Sequence, residues 1–269
     1  MRVENVAAAG TLSRSAADVY QDFFVPALFG EWGERVCAQA GVAPSHRVLD
    51  VACGTGVAAR AAAGIVDATG LVTGVDRNAA MLAVAQRASP ALAWQTARAE
   101  ALPFGDAAFD AVLCQFGLMF FDDRAAGLRE MARVLRPGGR LALAVWADVA
   151  VSPGYRAMVD LLEDLFGADT AAALRAPFAI GTPAALMAEF AQAGLAPPKI
   201  TAQTGRARFA SIRDWVHTDI KGWTLADRID AAQYAHLQAE AAVRLAHLAD
   251  DQGRVSFAAP ALIAVWEKS

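Results

Sequence analysis

The sequence predicts an α/β fold built on a parallel β-sheet, and three observations carry that prediction. Short apolar runs alternate with helical patterns through the first half, the signature of βαβ units. The runs Val48-Leu49-Asp50-Val51, Leu71 to Val75 and Val112-Leu113-Cys114 are compact and rich in β-branched residues, as strands buried on both faces are. The first of them enters a glycine turn, Gly54-Thr55-Gly56, that opens a helix.

In chain order, two helices are expected over 14–40. Strands follow at 46–52, 70–76, 91–97, 109–115 and 139–146, with helices at 57–64, 78–88 and 122–135 between them. Arg136-Pro137-Gly138-Gly139 stops the last of these helices and turns the chain into the next strand. The second half departs from this rhythm. Met158, Leu161, Leu162 and Leu165 mark a helix over 154–167, and Pro183 and Gly194 bracket another over 183–194. A strand is expected over 199–209, helices over 211–221 and 228–249, and a final strand over 255–266. The late helices read as insertions near the sheet's carboxyl edge, where a lid forms.

The composition bounds the function. At 269 residues and 56% hydrophobic, the chain can bury a sizeable core without disulfides or structural metal. Cys37, Cys53 and Cys114 form no paired spacing, which suits a reducing cytosol, excludes a cysteine-rich zinc module and makes a cytoplasmic location the expectation. No run approaches the ~18 apolar residues of a membrane span, and the first residues lack the cationic and apolar segments of a secretory signal. A net charge of −4 argues against a general nucleic-acid binder. No metal site is expected.

The most informative stretch is Val48-Leu49-Asp50-Val51-Ala52-Cys53-Gly54-Thr55-Gly56. Its glycines let backbone approach a ligand closely, and the helix that follows offers free N–H groups. Gly54, Gly56 and Ala59 alone also satisfy a dinucleotide fingerprint. Asp76 closes the second strand about 20 residues beyond Gly56, where a carboxylate accepts ribose hydroxyls in either case. Asp50 separates the two readings. A carboxylate at the base of the loop repels a diphosphate but attracts an ammonium or a sulfonium, so electrostatics favour S-adenosylmethionine over NAD.

Four ordered motifs over residues 20–147 then carry a resemblance: VLDVACGTG (48–56), VTGVDRNAAMLAVAQ (72–86), AEALPF with FDAVLCQFGLMFF (99–121), and REMARVLRPGGRLALAVW (129–146). The chain resembles the class I S-adenosylmethionine-dependent methyltransferases, in the branch of the ubiquinone and menaquinone biosynthesis C-methyltransferases. The resemblance implies a Rossmann-like seven-stranded sheet with helices on both faces and the last strand antiparallel. Residues 1–147 would then hold the N-terminal helices and the cofactor-binding half, and 148–269 would complete the sheet and add helical cap insertions over a substrate. The resemblance puts Asp50, Ala52, Gly54 and Gly56 around the methionine moiety, Asp76 on the ribose, Arg77 and Met81 beside ribose or adenine, Ala99 and Glu100 at the adenine edge, and Gln115 towards the methionine tail. One position departs from the pattern: where the family has an Asp accepting from the adenine amine, this chain has Arg98, which has only donors. Either the amine bonds elsewhere, as to Glu100, or Arg98 turns to solvent.

Methyl transfer needs alignment and exclusion of water, and a base only where the acceptor must lose a proton. His217 is the candidate base, in the expected cap, with a surface or packing role as the simpler reading. Tyr20 is expected either to border the transfer site or to anchor its helix on the sheet. Phe116, Phe120, Phe121, Trp215 and Trp223 are candidates for an apolar acceptor pocket. His236 and His247 read as a solvated helix face with Glu240 and Arg244 paired between them, and His46 as structural. Gln115-Phe116-Gly117-Leu118 stands where a nucleic-acid methyltransferase carries its Asn/Asp-Pro-Pro-aromatic tetrad, which sets that class aside. The expectation is therefore a methyltransferase acting on a small, partly apolar molecule, without a nucleic-acid partner or a membrane span and with homo-oligomerisation left open. An NAD-linked oxidoreductase and a catalytically silent S-adenosylmethionine-binding partner protein stand as alternatives.

Overall fold

The computed structural model describes residues 14–221, 225 and 228–269. Helix α1 (Arg14–Val19) continues as a π-helix over Tyr20–Phe29, and α2 (Trp32–Ala40) follows. Then come β1 (Arg47–Val51), α3 (Val57–Ala63), β2 (Leu71–Asp76), α4 (Ala79–Ala88), β3 (Ala93–Thr96), β4 (Phe109–Gln115), α5 (Arg124–Val134) and β5 (Leu135–Trp146). The second half adds α6 (Pro153–Phe166), α7 (Ala168–Arg175), α8 (Pro183–Gln192), β6 (Lys199–Phe209), α9 (Ile212–Lys221), α10 (Ala231–Arg244) and β7 (Val255–Glu267).

The seven strands form one sheet in the order β3-β2-β1-β4-β5-β7-β6. Strands β1 to β5 run parallel, and β7 lies antiparallel to both β5 and β6. The fold class expected from the sequence is the one observed. Residues Leu141 to Val145 in central β5 are fully buried, and the burial pattern of β3 shows why it reads weakly: it is an edge strand with no buried residue.

Three elements differ from expectation. Strand β5 starts at Leu135, not 139, because Leu135 pairs with Phe109 and Arg140 with Ala111, so residues 136–139 bulge out of a continuous strand. Helix α7 was not expected: its alanine-rich sequence has no strong apolar period, and Gly167 at φ +84° bends the chain without ending helical structure. The helix expected over 228–249 closes earlier, at Arg244, and His247 sits in the short turn beyond it. Arg244 there pairs with Asp164 of α6 at 2.6 Å, not with Glu240, because α10 packs on α6. Among the described residues no single helix is long and apolar enough to cross a membrane.

Candidate functional site

Strand order reverses between β1 and β4, and in such sheets ligands bind outside the carboxyl ends of the strands at that point. A cavity of about 160 Å³ lies there. Its polar lining is Asp50, Asp76, Arg77, Asn78, Glu100 and Gln115, and its aromatic lining is Tyr20, Phe24, Phe29, Phe116, Phe120 and Phe121.

Asp50, near the end of β1, is 1% exposed. Its Oδ2 accepts from the Ala59 N–H of α3 at 2.8 Å, while Oδ1 has no hydrogen-bond partner. Burial pushes this carboxyl up to about 7; the charge of Asp76 adds to that, and the Ala59 N–H and Arg60 oppose it. Asp76 ends β2 and takes the N–H of Asn78 on Oδ1 and that of Gly54 on Oδ2, each at 2.8 Å. Burial raises its pKa as well, against the pull of those two N–H groups. Gln115 ends β4; its Nε2 donates to the Phe29 carbonyl at 3.1 Å and ties the π-helix to the sheet, leaving Oε1 buried without a partner. Two acceptor atoms, Asp50 Oδ1 and Gln115 Oε1, thus stand unpaired among cavity-lining side chains. A buried unpaired acceptor is costly, and a ligand bearing an ammonium group would satisfy both.

Tyr20 covers the glycine turn: its Cε1 lies 3.9 Å from where a Cβ on Gly54 would stand, and its ring stacks on Phe29 at 5.2 Å and Phe24 at 5.8 Å between centroids. Burial, then the charges of Asp76 and Asp50, raise its pKa, so at neutral pH it is a neutral phenol able to donate and not a base. Ala52 and Phe116, directly after β1 and β4, both hold φ near +55°, a strained conformation for residues with side chains and one that gathers at ligand sites.

The structure therefore brings Tyr20, Asp50, Ala52, Gly54, Asp76, Arg77, Met81, Ala99, Glu100 and Gln115 to one cavity. Gly56 does not line it. A Cβ there would lie 2.4 Å from the Trp94 ring, and one on Gly74 would meet the same ring at 2.4 Å, so these glycines make room for an indole under the loop. His217 is also elsewhere. It is exposed on α9, with Nδ1 3.0 Å from the Tyr234 hydroxyl of α10, and among the described residues none beyond Phe121 lines the cavity. Helices α6 and α9 pack on β7 and β6, α10 packs on both of those helices and α8 on α5; none of their described residues lines the cavity, which removes the geometric case for His217 as a base. Trp215 is fully buried against Phe209 and Phe257, and its place is the core. Trp223 lies outside the described residues. Cys53 and Cys114 are buried thiols with raised pKa values, chiefly through burial, as small apolar groups have. Sequence reasoning missed Phe24, Phe29 and Asn78; the aromatic cluster on either side of Pro26 was the available signal for the first two, and the helix-start Asn after Asp76 for the third.

Glu100 lines the cavity, but its Oε1 already accepts from the N–H groups of Asp122 and Asp123, at 3.0 and 3.4 Å. Arg98 is exposed and paired with Asp122 at 2.6 Å and Glu100 at 3.5 Å, which answers where it turns.

Comparison with known proteins agrees with this geometry. Residues 49–143 match the family description of a methyltransferase domain. The demethylmenaquinone methyltransferase of Beutenbergia cavernae is 39% identical over 122 residues, 45% of this chain and 50% of that protein. The ubiquinone/menaquinone biosynthesis C-methyltransferase UbiE of Chromobacterium violaceum is 38% identical over 147 residues, 52% of this chain and 60% of that protein. The chain thus spans about half the length of the curated relatives it matches. In fold, the YcgJ protein of Bacillus subtilis superposes with a TM-score of 0.56 at 22% identity, covering 89% of this chain and 99% of that one. The [4+2]-cyclase SpnF gives 0.52 at 18% identity, over 89% of this chain and 81% of that one. Residues 49–143 therefore match a methyltransferase domain, in a chain similar over about half its length to the ubiquinone and menaquinone biosynthesis methyltransferases.

Proposed function

We propose that the protein transfers a methyl group from S-adenosylmethionine to a small, partly apolar and flat acceptor. One observation carries this reading: two carboxylates and an amide oxygen, two of these groups with an unpaired acceptor atom, stand beside an aromatic wall at the switch point of the sheet. When bound, the cofactor supplies an electrophilic methyl on a cationic sulfur. The chain's own residues do the rest. Asp50 and Gln115 hold the ammonium of the tail, and Asp76 has lone pairs left for the ribose hydroxyls, since a carboxylate offers about four acceptor sites and backbone takes two here. Tyr20, Phe24 and Phe29 exclude water from above, and Phe116, Phe120 and Phe121 offer faces to a flat acceptor. The names of the curated relatives suit such an acceptor, demethylmenaquinone being a flat ring with an apolar tail. In-line transfer follows from alignment alone, without a base from this cavity.

The oxidoreductase alternative has less support, because a diphosphate at Gly54 would face the unpaired oxygen of Asp50. Calorimetric titration tests the reading. S-adenosylhomocysteine is expected to bind in the micromolar range, with binding lost in Asp76→Ala. No heat from either adenosyl ligand, or no labelled product from a metabolite extract given labelled cofactor, rejects it.

A further inference from the structure

Four charged residues beside the cavity have no task in the reading above. Arg98 Nη2 donates to Asp122 Oδ2 at 2.6 Å, and Arg77 Nη1 donates to both oxygens of Asp122 at 3.2 and 3.3 Å. The Nε of Arg98 lies 3.5 Å from Glu100 Oε2, and the other oxygen of Glu100 takes the N–H groups of Asp122 and Asp123 where α5 begins. The contacts join three separate pieces of chain: the end of β2, the loop before β4, and the segment 118–123. That segment carries Phe120 and Phe121, both in the cavity wall. Phe121 has little freedom on its other side, since a Cβ on Gly127 of α5 would stand 2.5 Å from its ring.

We infer that Arg98, Asp122, Arg77 and Glu100 form an ionic clasp that holds segment 118–123 against the cavity, and that Arg98 is a positioning residue there and not a contact of the nucleoside. The inference rests on the proposed methyltransferase reading for the identity of the ligand, but the clasp itself exists without one. A single exposed ion pair contributes little. Here two guanidinium groups share one carboxylate, and a half-buried carboxylate fixes the backbone beside it, so the loss of one member is felt by the rest. The arrangement also explains how an arginine can stand where the family pattern has an acceptor: its charge is turned outward and used to fasten the aromatic wall.

The test uses the full chain, with S-adenosylhomocysteine as probe and amide hydrogen exchange on the ligand-free protein. Arg98→Ala and Asp122→Asn are each expected to weaken binding about tenfold or less, and the double variant no further than the weaker single, as residues acting through one contact do. Exchange at 118–123 speeds up in Arg98→Ala, and added salt brings wild type towards the variant. Arg98→Asp, which restores the acceptor of the family pattern, weakens binding further because it sets a third carboxylate beside Asp122 and Glu100. Tighter binding in Arg98→Asp, or additive losses in the double variant, overturns the inference. If wild type binds no adenosyl ligand, the functional proposal fails, and the exchange of 118–123 still decides the clasp: unchanged rates in Arg98→Ala reject it.

Discussion

Asp50 uses one hydrogen bond where a carboxylate can accept about four, and it does so almost out of reach of water. The cost shows in its pKa, which burial pushes up to about 7 in the absence of a ligand. A cationic ligand reverses the balance by favouring the ionised form. Affinity for S-adenosylmethionine should therefore rise with pH up to about 7 and level above it, with a slope of at most about tenfold per pH unit below. In Asp50→Asn the affinity should be lower throughout and the rise flattened, as titrations from about pH 6 to about pH 8 would register. Equal pH profiles for the two proteins would remove Asp50 from ligand binding. The residue was legible in the sequence because its type, its place at a strand end and the glycine turn beyond it agree. His217 was not legible in the same way. A lone histidine has no spacing partner that fixes where its helix will pack, and α9 packs on α10 and β6 with His217 outside the cavity.

Among the elements, α5 ends at Val134 with its last carbonyls directed at a side chain from the end of the chain. The ammonium of Lys268 donates to the carbonyls of Ala132, Arg133 and Leu135 at 2.9, 3.1 and 2.7 Å. These are groups that no intrahelical N–H can satisfy, and a cation there also faces the negative end of the helix dipole. Lys268→Ala is expected to lower stability by about 1–2 kcal/mol, read from the denaturant midpoint, with S-adenosylhomocysteine affinity unchanged. Loss of affinity without loss of stability would contradict that assignment. Most elements were predictable to within a few residues, since alternating apolar runs and helical periods mark them. The start of β5 was obscured because Pro137, Gly138 and Gly139 read as a turn, while pairing with Phe109 draws Leu135 into the strand before the bulge. Helix α7 gave no signal because alanines pack well without an apolar stripe that stands out.

At the scale of the molecule, the halves of the sheet carry different burdens. The parallel half builds the cavity, and the antiparallel half with its helices packs a core around Tyr155, Trp215 and Phe257. Asp219 is enclosed in that core, fully buried, with Oδ2 accepting from Trp215 Nε1 at 2.7 Å and the Tyr155 hydroxyl beside the carboxyl. Burial raises its pKa to about 7, against the Trp215 N–H and the Tyr155 hydroxyl. A carboxyl whose pKa is higher folded than unfolded binds more protons in the folded state, so its contribution is present in acid and is lost as pH rises. The ligand-free protein should lose stability between about pH 4 and about pH 7, and Asp219→Asn should reduce that slope by about one proton's share. Melting curves across this range check it, and a variant slope equal to that of wild type would show that Asp219 does not titrate there.

What the chain's own order of residues determined was the repeating unit and the chemistry at its turning points. Hydrophobic period, glycine turns and strand-end carboxylates are local, and local signals survive without a fold. The sequence alone thus reached the sheet, Asp50, Asp76 and the ligand they suit. Only the tertiary structure decided which aromatics line the cavity, where the late helices dock and which carboxylates Arg98 meets. Those outcomes depend on pairs of residues distant along the chain, such as Gln115 with Phe29 or Arg98 with Asp122, whose meeting no spacing encodes.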